Sequence, residues 1–353
     1  MHYFKSLYIF FSILAVTIFF FSTTKVEAKA FEINNIEISK PFENNFDKKE
    51  IINIGFRDAF FELMSSILNS SDLKKIDQIK LNEIKGMIES FSIKEEKFIN
   101  QIYYVNLGVS FNKKKIFKYL ENENIFPSIP TKVSFLFIPI LIDEEINDLV
   151  IFSKNPIFDN WNENTKKYFL IEYILPTEDL EDLNLIKKEY GLLENYDFKE
   201  ITDKYFLENS IIALVFKNEK GVRVLSKINI KKDIFIENKL YLDLNLEDKK
   251  QLLVFINDQK KIYEDTWKEY NQINTSIKLQ LTIRINNNDQ FRLSKFEKIL
   301  KEMDLVYDFS IKRFNKDHTF YEIIFNGAPK NFIDTMSLKK YDFDTQKKIW
   351  VLK

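Results

Sequence analysis

Apolar and polar positions follow two periods along this chain, and the switches between them outline its organisation. FEINNIEI, from Phe31 to Ile38, alternates in twos and predicts a strand. Asp47 then opens a run in which Ile52, Phe56, Ala59, Phe60, Leu63, Met64 and Ile67 recur at intervals of three and four, the buried stripe of an amphipathic helix. A short helix around Leu81 to Ile88, a strand from Gln101 to Phe111 and a helix from Asn112 to about Glu121 complete a small α+β module. Beyond the Phe126-Pro127-Ser-Ile-Pro130 punctuation, Thr131 to Ile142 is almost continuously apolar, as a strand buried on both faces would be. Tyr168 to Leu175 reads the same way. Helical patterns at Asp179 to Tyr190 and Phe198 to Leu207 precede three strand-like runs, Ser210 to Phe216, Val222 to Asn229 and Ile234 to Asp243, with a turn at Lys217 to Gly221. This order predicts a sheet covered by helices.

From Asp248 to about Ile273 the pattern is helical but polar, with Leu252, Leu253, Phe255, Ile256, Tyr263 and Trp267 on its apolar side. The expected role is to pack on one domain and space it from the next. The last stretch reads strand (IKLQLTIRI), helix (Phe291 to Met303), two strands (LVYDFSIKRF and TFYEIIF), helix (Pro329 to Met336) and a closing strand (IWVLK). The order βαββαβ is the split motif of ferredoxin-like modules. Gly327-Ala-Pro329 fits as a turn with proline at the first helical position.

The first 30 residues change the picture, because Lys5, the apolar run from Ser6 to Phe21 and the small residues Ala28 and Ala30 have the layout of a secretory signal. The run falls short of the ~20 residues that span a bilayer comfortably. Cleavage after Ala30 or Ala28 is expected, with a retained anchor as the alternative. The expected product is periplasmic and meets the membrane only during export. The predicted division is 1–30 signal, 31–126 α+β module, 131–246 α/β domain with a helix-covered sheet, 247–275 connecting helix and 276–353 ferredoxin-like module. The fold class is therefore α+β, multi-domain.

Composition removes several chemistries. With 52 Lys+Arg against 53 Asp+Glu there is no basic excess for a nucleic-acid backbone, and no nucleic-acid partner is expected. Zero Cys excludes thiolate nucleophiles, disulfides and thiolate metal sites. The six glycines, at 55, 86, 108, 191, 221 and 327, stand too far apart to converge on a phosphate. Beyond residue 30, His318 is the sole histidine and reads as a polar residue of a hairpin turn. Ser-x-x-Lys spacings at Ser71/Lys74, Ser110/Lys113 and Ser337/Lys340 lie outside any wider hydrolase motif. The acids Glu178, Asp179, Glu181 and Asp182 follow Pro176 and Thr177 at a predicted helix start, where carboxylates cap free N–H groups. Asp143, Glu144 and Glu145 read as a solvated loop, and Tyr103 and Tyr104 as core. Asn155-Pro156 with Trp161 is a distinctive polar and aromatic cluster, read first as a turn that buries an indole and second as a binding surface. No catalytic, metal or cofactor-binding residue is assigned and no cofactor is called for. The candidate interaction surface is Asn155, Pro156, Trp161, Glu178, Asp179 and Asp182.

Several short motifs match a family. VSFLFIPI running into Pro139, Asn155-Pro156 with Trp161, the run from Pro176 to Leu183, and Tyr205 ahead of the strand at Ile211 resemble the DUF2066 family of bacterial exported proteins. The helix containing Ala59, YYVNLGVSF and the closing Trp350-Val-Leu352 extend the resemblance, while Glu178 stands where a glycine is common and Ser65, Ser66 and Asn69 replace an Arg-and-Gly element. The resemblance implies no reaction. More loosely, the middle segment looks like the N-terminal domain of the Tol–Pal propeller protein. The expected function is that of a non-enzymatic protein that binds another, unknown envelope protein, through an edge strand of the ferredoxin-like end and a groove near Asn155 to Trp161. The alternatives are a carboxylate-based hydrolase of envelope material and a solute-binding module.

Overall fold

The computed structural model describes residues 31–43, 46–163, 166–275 and 277–353; the expected export signal, residues 1–30, lies outside them. Its first stretch contains β1 (Glu32–Pro41), α1 (Lys48–Ile67), the short helices α2 (Ser70–Leu73) and α3 (Leu81–Met87), β2 (Ile88–Ile99), β3 (Ile102–Phe111) and α4 (Lys113–Asn122). Asp47 caps α1 by accepting from the Lys49 N–H, and the predicted stripe of Phe56, Ala59, Phe60, Leu63, Met64 and Ile67 is buried. The sheet is antiparallel, in the order β1-β3-β2. The sequence pattern misses β2, because its centre is Lys94-Glu-Glu-Lys97 and nearly all of it is exposed. What makes it a strand is its pairing to β3 through the turn at Asn100 and Gln101, both with positive φ.

The middle sheet is built from β4 (Val133–Asp143), β5 (Asp148–Val150), α5 (Pro156–Asn160), β6 (Ile171–Ile174), α6 (Leu180–Lys188), α7 (Lys199–Thr202), β7 (Asn209–Asn218), β8 (Gly221–Ile230), β9 (Asp233–Leu242) and α8 (Lys249–Tyr270). Its order is β5-β4-β7-β8-β9, with β6 parallel to β4. The chain crosses in parallel from β4 to β7 and then meanders antiparallel to β9. As its apolar run requires, β4 is buried on both sides. Phe135, Phe137 and Leu141 join one core beneath α8, and Leu136, Ile138, Ile140 and Ile142 join a second against Ile186 of α6 and Ile201 of α7. Gly221 begins β8 with φ +139°, and a Cβ there would fall 2.2 Å from the Tyr241 carbonyl oxygen. Glycine lets β9 close onto the hairpin.

The C-terminal stretch contains β10 (Lys278–Asn286), α9 (Gln290–Glu302), β11 (Val306–Phe314), β12 (His318–Asn326), α10 (Pro329–Leu338), β13 (Phe343–Asp344) and β14 (Ile349–Leu352). β11-β12-β10 is the antiparallel order of a ferredoxin-like module, and the predicted face of α9, Phe296, Ile299, Leu300 and Met303, is buried against it. The end differs from the predicted single closing strand. A short β13 precedes β14, and β14 lies between β13 and β10, parallel to β10. The added hairpin reverses the last strand. His318 begins β12, where its N–H donates to Asn315 Oδ1 at 2.8 Å. The molecule is thus α+β and multi-domain, and Phe31–Lys353 forms one compact unit. Among the described residues no helix is long and apolar enough to cross a membrane.

Helix α8 departs from the spacer role expected of it. Leu252, Phe255, Ile256, Tyr263 and Trp267 sit inside the core of the middle sheet. Down its other buried side run charges one turn apart, Lys260, Glu264 and Lys268, all nearly inaccessible. Glu264 Oε1 accepts from the Leu170 and Ile171 N–H groups, both at 2.8 Å. Lys268 Nζ donates to the Ser65 carbonyl at 2.7 Å, and Asp265 Oδ1 accepts from the Ser70 N–H at 2.9 Å. The Lys260 ammonium lies 5.5 Å from the Trp161 ring centre and 5.7 Å from that of Tyr173. One helix therefore holds the middle sheet and the C-terminal end of α1 together.

Burial pushes Lys260 down to about 8 against the upward pull of Glu264, and pushes Lys113 down to about 8 against Asp304. Burial also lowers Lys268 and raises Glu264. A lysine ordinarily titrates at 10.5, so between about 8 and that value the unfolded chain holds protons the folded chain has released. Stability is expected to rise with pH from about 8 to 10, below the range where buried tyrosines such as Tyr321, raised by burial and Glu297, act with opposite sign. Urea unfolding across that range should show this rise, and Lys260→Met should reduce its slope.

Candidate interaction surface

The residues singled out from the sequence divide into a buried latch and a solvated helix start. Asn155 is fully buried and caps α5, its Oδ1 accepting from the Ile157 N–H at 3.0 Å. Its Nδ2 donates to the carbonyls of Pro139 at 3.1 Å and Val150 at 3.3 Å. This placement explains a proline inside a buried strand. β6 pairs with β4 as far as Leu136, and β5 pairs with β4 only from Leu141 onward, so the flank of β4 beside Pro139 has no strand on it. Backbone N and C=O of one strand residue point the same way. The missing N–H of Pro139 therefore faces a gap that wants no donor, and Asn155 closes it.

Pro156 takes the first position of α5. Trp161 is 1% exposed, stacked on Phe137 at 3.8 Å between ring centres and edge-on to Tyr173 at 5.3 Å. Asn155 and Trp161 are thus interior groups, and the groove expected between them is filled by core. Asp179 caps α6 through the Glu181 N–H at 2.8 Å. That hydrogen bond and Lys204 hold its carboxyl below the usual range. Asp182 is buried and bonds Lys204 Nζ at 2.6 Å, which with Asp179 drives the lysine well above its ordinary value. Glu178 accepts from the Ser153 N–H at 3.3 Å. These acids secure a helix start to its neighbours. Among the described residues no three His, Asp or Glu side chains come together to hold a metal ion.

Surface available to another molecule lies elsewhere. The outer face of the β1-β3-β2 sheet carries an open groove of about 510 Å³ lined by Glu37, Ser39, Lys97, Tyr104 and Asn106. A second groove of about 620 Å³ runs beside β9, with Tyr196, Phe198, Lys199 and Leu207 on one wall and Lys227 and Ile234 on the other. The chain matches no protein-family model and no curated protein.

β9 ends its sheet, paired with β8 over ten consecutive residues without a register shift. Its odd-numbered face is fastened inward. Phe235 meets Tyr270 and Tyr241 meets Phe255, while Lys239 and Tyr241 both bond Asp258. Burial would raise Asp258, but those two bonds outweigh it and hold the carboxyl below its ordinary value. Gln259 bonds Tyr241 at 2.7 Å, and Tyr263 links Gln259 to Ser226. The even-numbered face is open, with Ile234, Ile236, Leu240 and Leu242 each between 59% and 68% exposed.

Other edge strands among the described residues are less inviting. β1 has a register shift and ends in Pro41. β11 has two shifts, and β5 and β13 are very short. β2 also has two shifts, and its Phe91 and Phe98 rest on Phe56 and Phe42. The expected edge at the ferredoxin-like end is therefore interrupted, whereas the middle sheet presents an unbroken one. The sequence carried the signal, since Ile234-Phe-Ile and Leu240-Tyr-Leu leave no polar face for solvent.

The latch has a direct test. Asn155→Ala removes a helix cap and the side-chain donor to the buried Pro139 carbonyl, which together should destabilise the fold by on the order of 2–4 kcal/mol. Chemical denaturation should show this, and a change under ~0.5 kcal/mol would contradict the role assigned to Asn155.

Proposed function

We propose that this chain is an exported, periplasmic, non-enzymatic protein that works by contact with protein chains in the cell envelope. The observation that carries the reading is the open edge of β9, ten residues long, unbroken and flanked by four exposed aliphatic side chains. Along such an edge alternate residues direct N–H and C=O groups outward, ready to pair with an added strand. The inner face is already fixed by Asp258, Gln259 and Tyr263, so little ordering is needed when a strand arrives. Soluble proteins ordinarily blunt such edges with charge, proline or a bulge; β9 has no proline or bulge, its charges Asp233, Glu237 and Lys239 all stand at odd-numbered positions away from the open aliphatic face, and an exposed apolar stretch of this kind marks a contact site. The acids that a hydrolase would need at Asp179 and Asp182 serve instead as a helix cap and as partners of Lys204. The likeness of the middle segment to DUF2066 proteins is compatible with a contact role and assigns no reaction.

Photocrosslinking in intact cells from position 236 should trap the chain in a defined complex, while a crosslinker at exposed Leu338 on α10 should not. Ile236→Lys with Leu240→Lys should abolish the complex and leave the melting temperature nearly unchanged. The reading fails if positions 236 and 338 trap the same products, or if Asp179→Asn abolishes an envelope-hydrolysing activity that the β9 variant retains.

A further inference from the structure

We infer that the occupant of the β9 edge is a second copy of this chain, paired antiparallel through β9 about a twofold axis at Asn238. This rests on the reading of β9 as a contact surface and goes beyond it by naming the partner. The residues from Ile234 to Leu242, IFIENKLYL, read as a chemical palindrome. Antiparallel pairing centred on Asn238 sets Ile234 opposite Leu242 of the second copy and Ile236 opposite its Leu240. It sets Phe235 opposite Tyr241 and Glu237 opposite Lys239, and each pair occurs twice by symmetry.

Each face of the joint then carries like with like. On the open face, Ile234, Ile236, Leu240 and Leu242, which β9 leaves exposed, meet their counterparts as two aliphatic patches, one on either side of the central pair of exposed Asn238 residues. On the inner face, Phe235 and Tyr241, already resting on Tyr270 and Phe255 of α8, meet aromatic on aromatic, and the two charged pairs are of opposite sign. Directly opposed side chains of these classes stabilise antiparallel sheets, and like charges directly opposed do the reverse.

Charge also fixes the register. Sliding one copy by two residues either way keeps the faces but places Lys239 on Lys239 or Glu237 on Glu237. The remaining mismatch in the preferred register, Asp233 against Asp243 of the second copy, falls at the strand ends, where both residues are exposed and Lys231 and Lys232 lie nearby. No other edge among the described residues combines an unbroken ladder with such self-complementarity. The product is a sheet continuous across both molecules, with each open edge closed by the other.

Sedimentation of the purified full chain over the micromolar range tests this. Twice the chain mass is expected. Glu237→Lys and Lys239→Glu should each weaken the dimer about tenfold or more, because each places two like-charged pairs across the joint. Mixing the two single variants should restore association as a heterodimer, and combining both changes in one chain should restore the homodimer. Lys239 also bonds Asp258, so melting curves monitor folding, and exposed Glu237→Lys decides the matter alone if Lys239→Glu does not fold. A wild-type chain that stays monomeric, or single variants that dimerise like wild type, overturns the proposal. Monomeric protein whose β9 variants still lose a cellular complex would sink self-pairing and leave the contact reading standing.

Discussion

Placing charge inside a protein is costly unless it meets specific partners, and the arrangement of this molecule follows from how helix α8 meets most of that requirement, with Glu264 Oε2 buried and left without a hydrogen bond. Glu264 takes the two backbone N–H groups that lead into β6, Lys268 takes a carbonyl near the end of α1, and Asp265 takes the N–H that starts α2. Apolar packing against Phe135, Phe137 and Trp161 would hold α8 to the sheet in many similar poses. Buried hydrogen bonds to fixed backbone groups select one of them. Ser128 completes the joint, its N–H donating to the Ile67 carbonyl at 2.7 Å while the Ile273 N–H donates to Pro127 at 2.8 Å.

The C-terminal module is attached by different means. Its core is its own, and polar contacts link it to α4: Lys113 to the Met303 carbonyl, Lys114 to Asp308 and Lys278 to Glu121. Lys114–Asp308 is an exposed ion pair, worth little in water, and Lys278–Glu121 is half-buried. The molecule thus joins its first two sheets by a buried helix and its third by a lighter, more polar contact.

Where one face of an element is buried, its period was readable along the chain. The stripe of α1, the doubly apolar β4, the meander from β7 to β9 and the face of α9 all follow from spacing alone. Elements held by pairing were silent. β2 is rich in Lys and Glu, β5 and β13 are too short to show a period, and α5 looked like a turn because one capping asparagine and a proline occupy most of its first turn. The candidate surface was misplaced for a related reason. Asn155 and Trp161 are conspicuous as residue types, but an asparagine beside a proline and an indole can serve burial as well as binding, and only the gap beside Pro139 distinguishes them. The seam of α8 was hidden because Lys260, Glu264 and Lys268 look like a solvated face until neighbours cover them. In β9 the converse holds, since the apolar triplets Ile234-Phe-Ile and Leu240-Tyr-Leu belong to a strand with one face open.

The claim that α8 fastens the first two sheets through its buried charges is tested most directly by native-state hydrogen exchange. The account predicts that the amide protons of Ser70, Leu170 and Ile171 exchange only with global unfolding, in step with the central turns of α8. Exchange of these three amides at a low opening energy, while α8 and β4 remain protected, would contradict it.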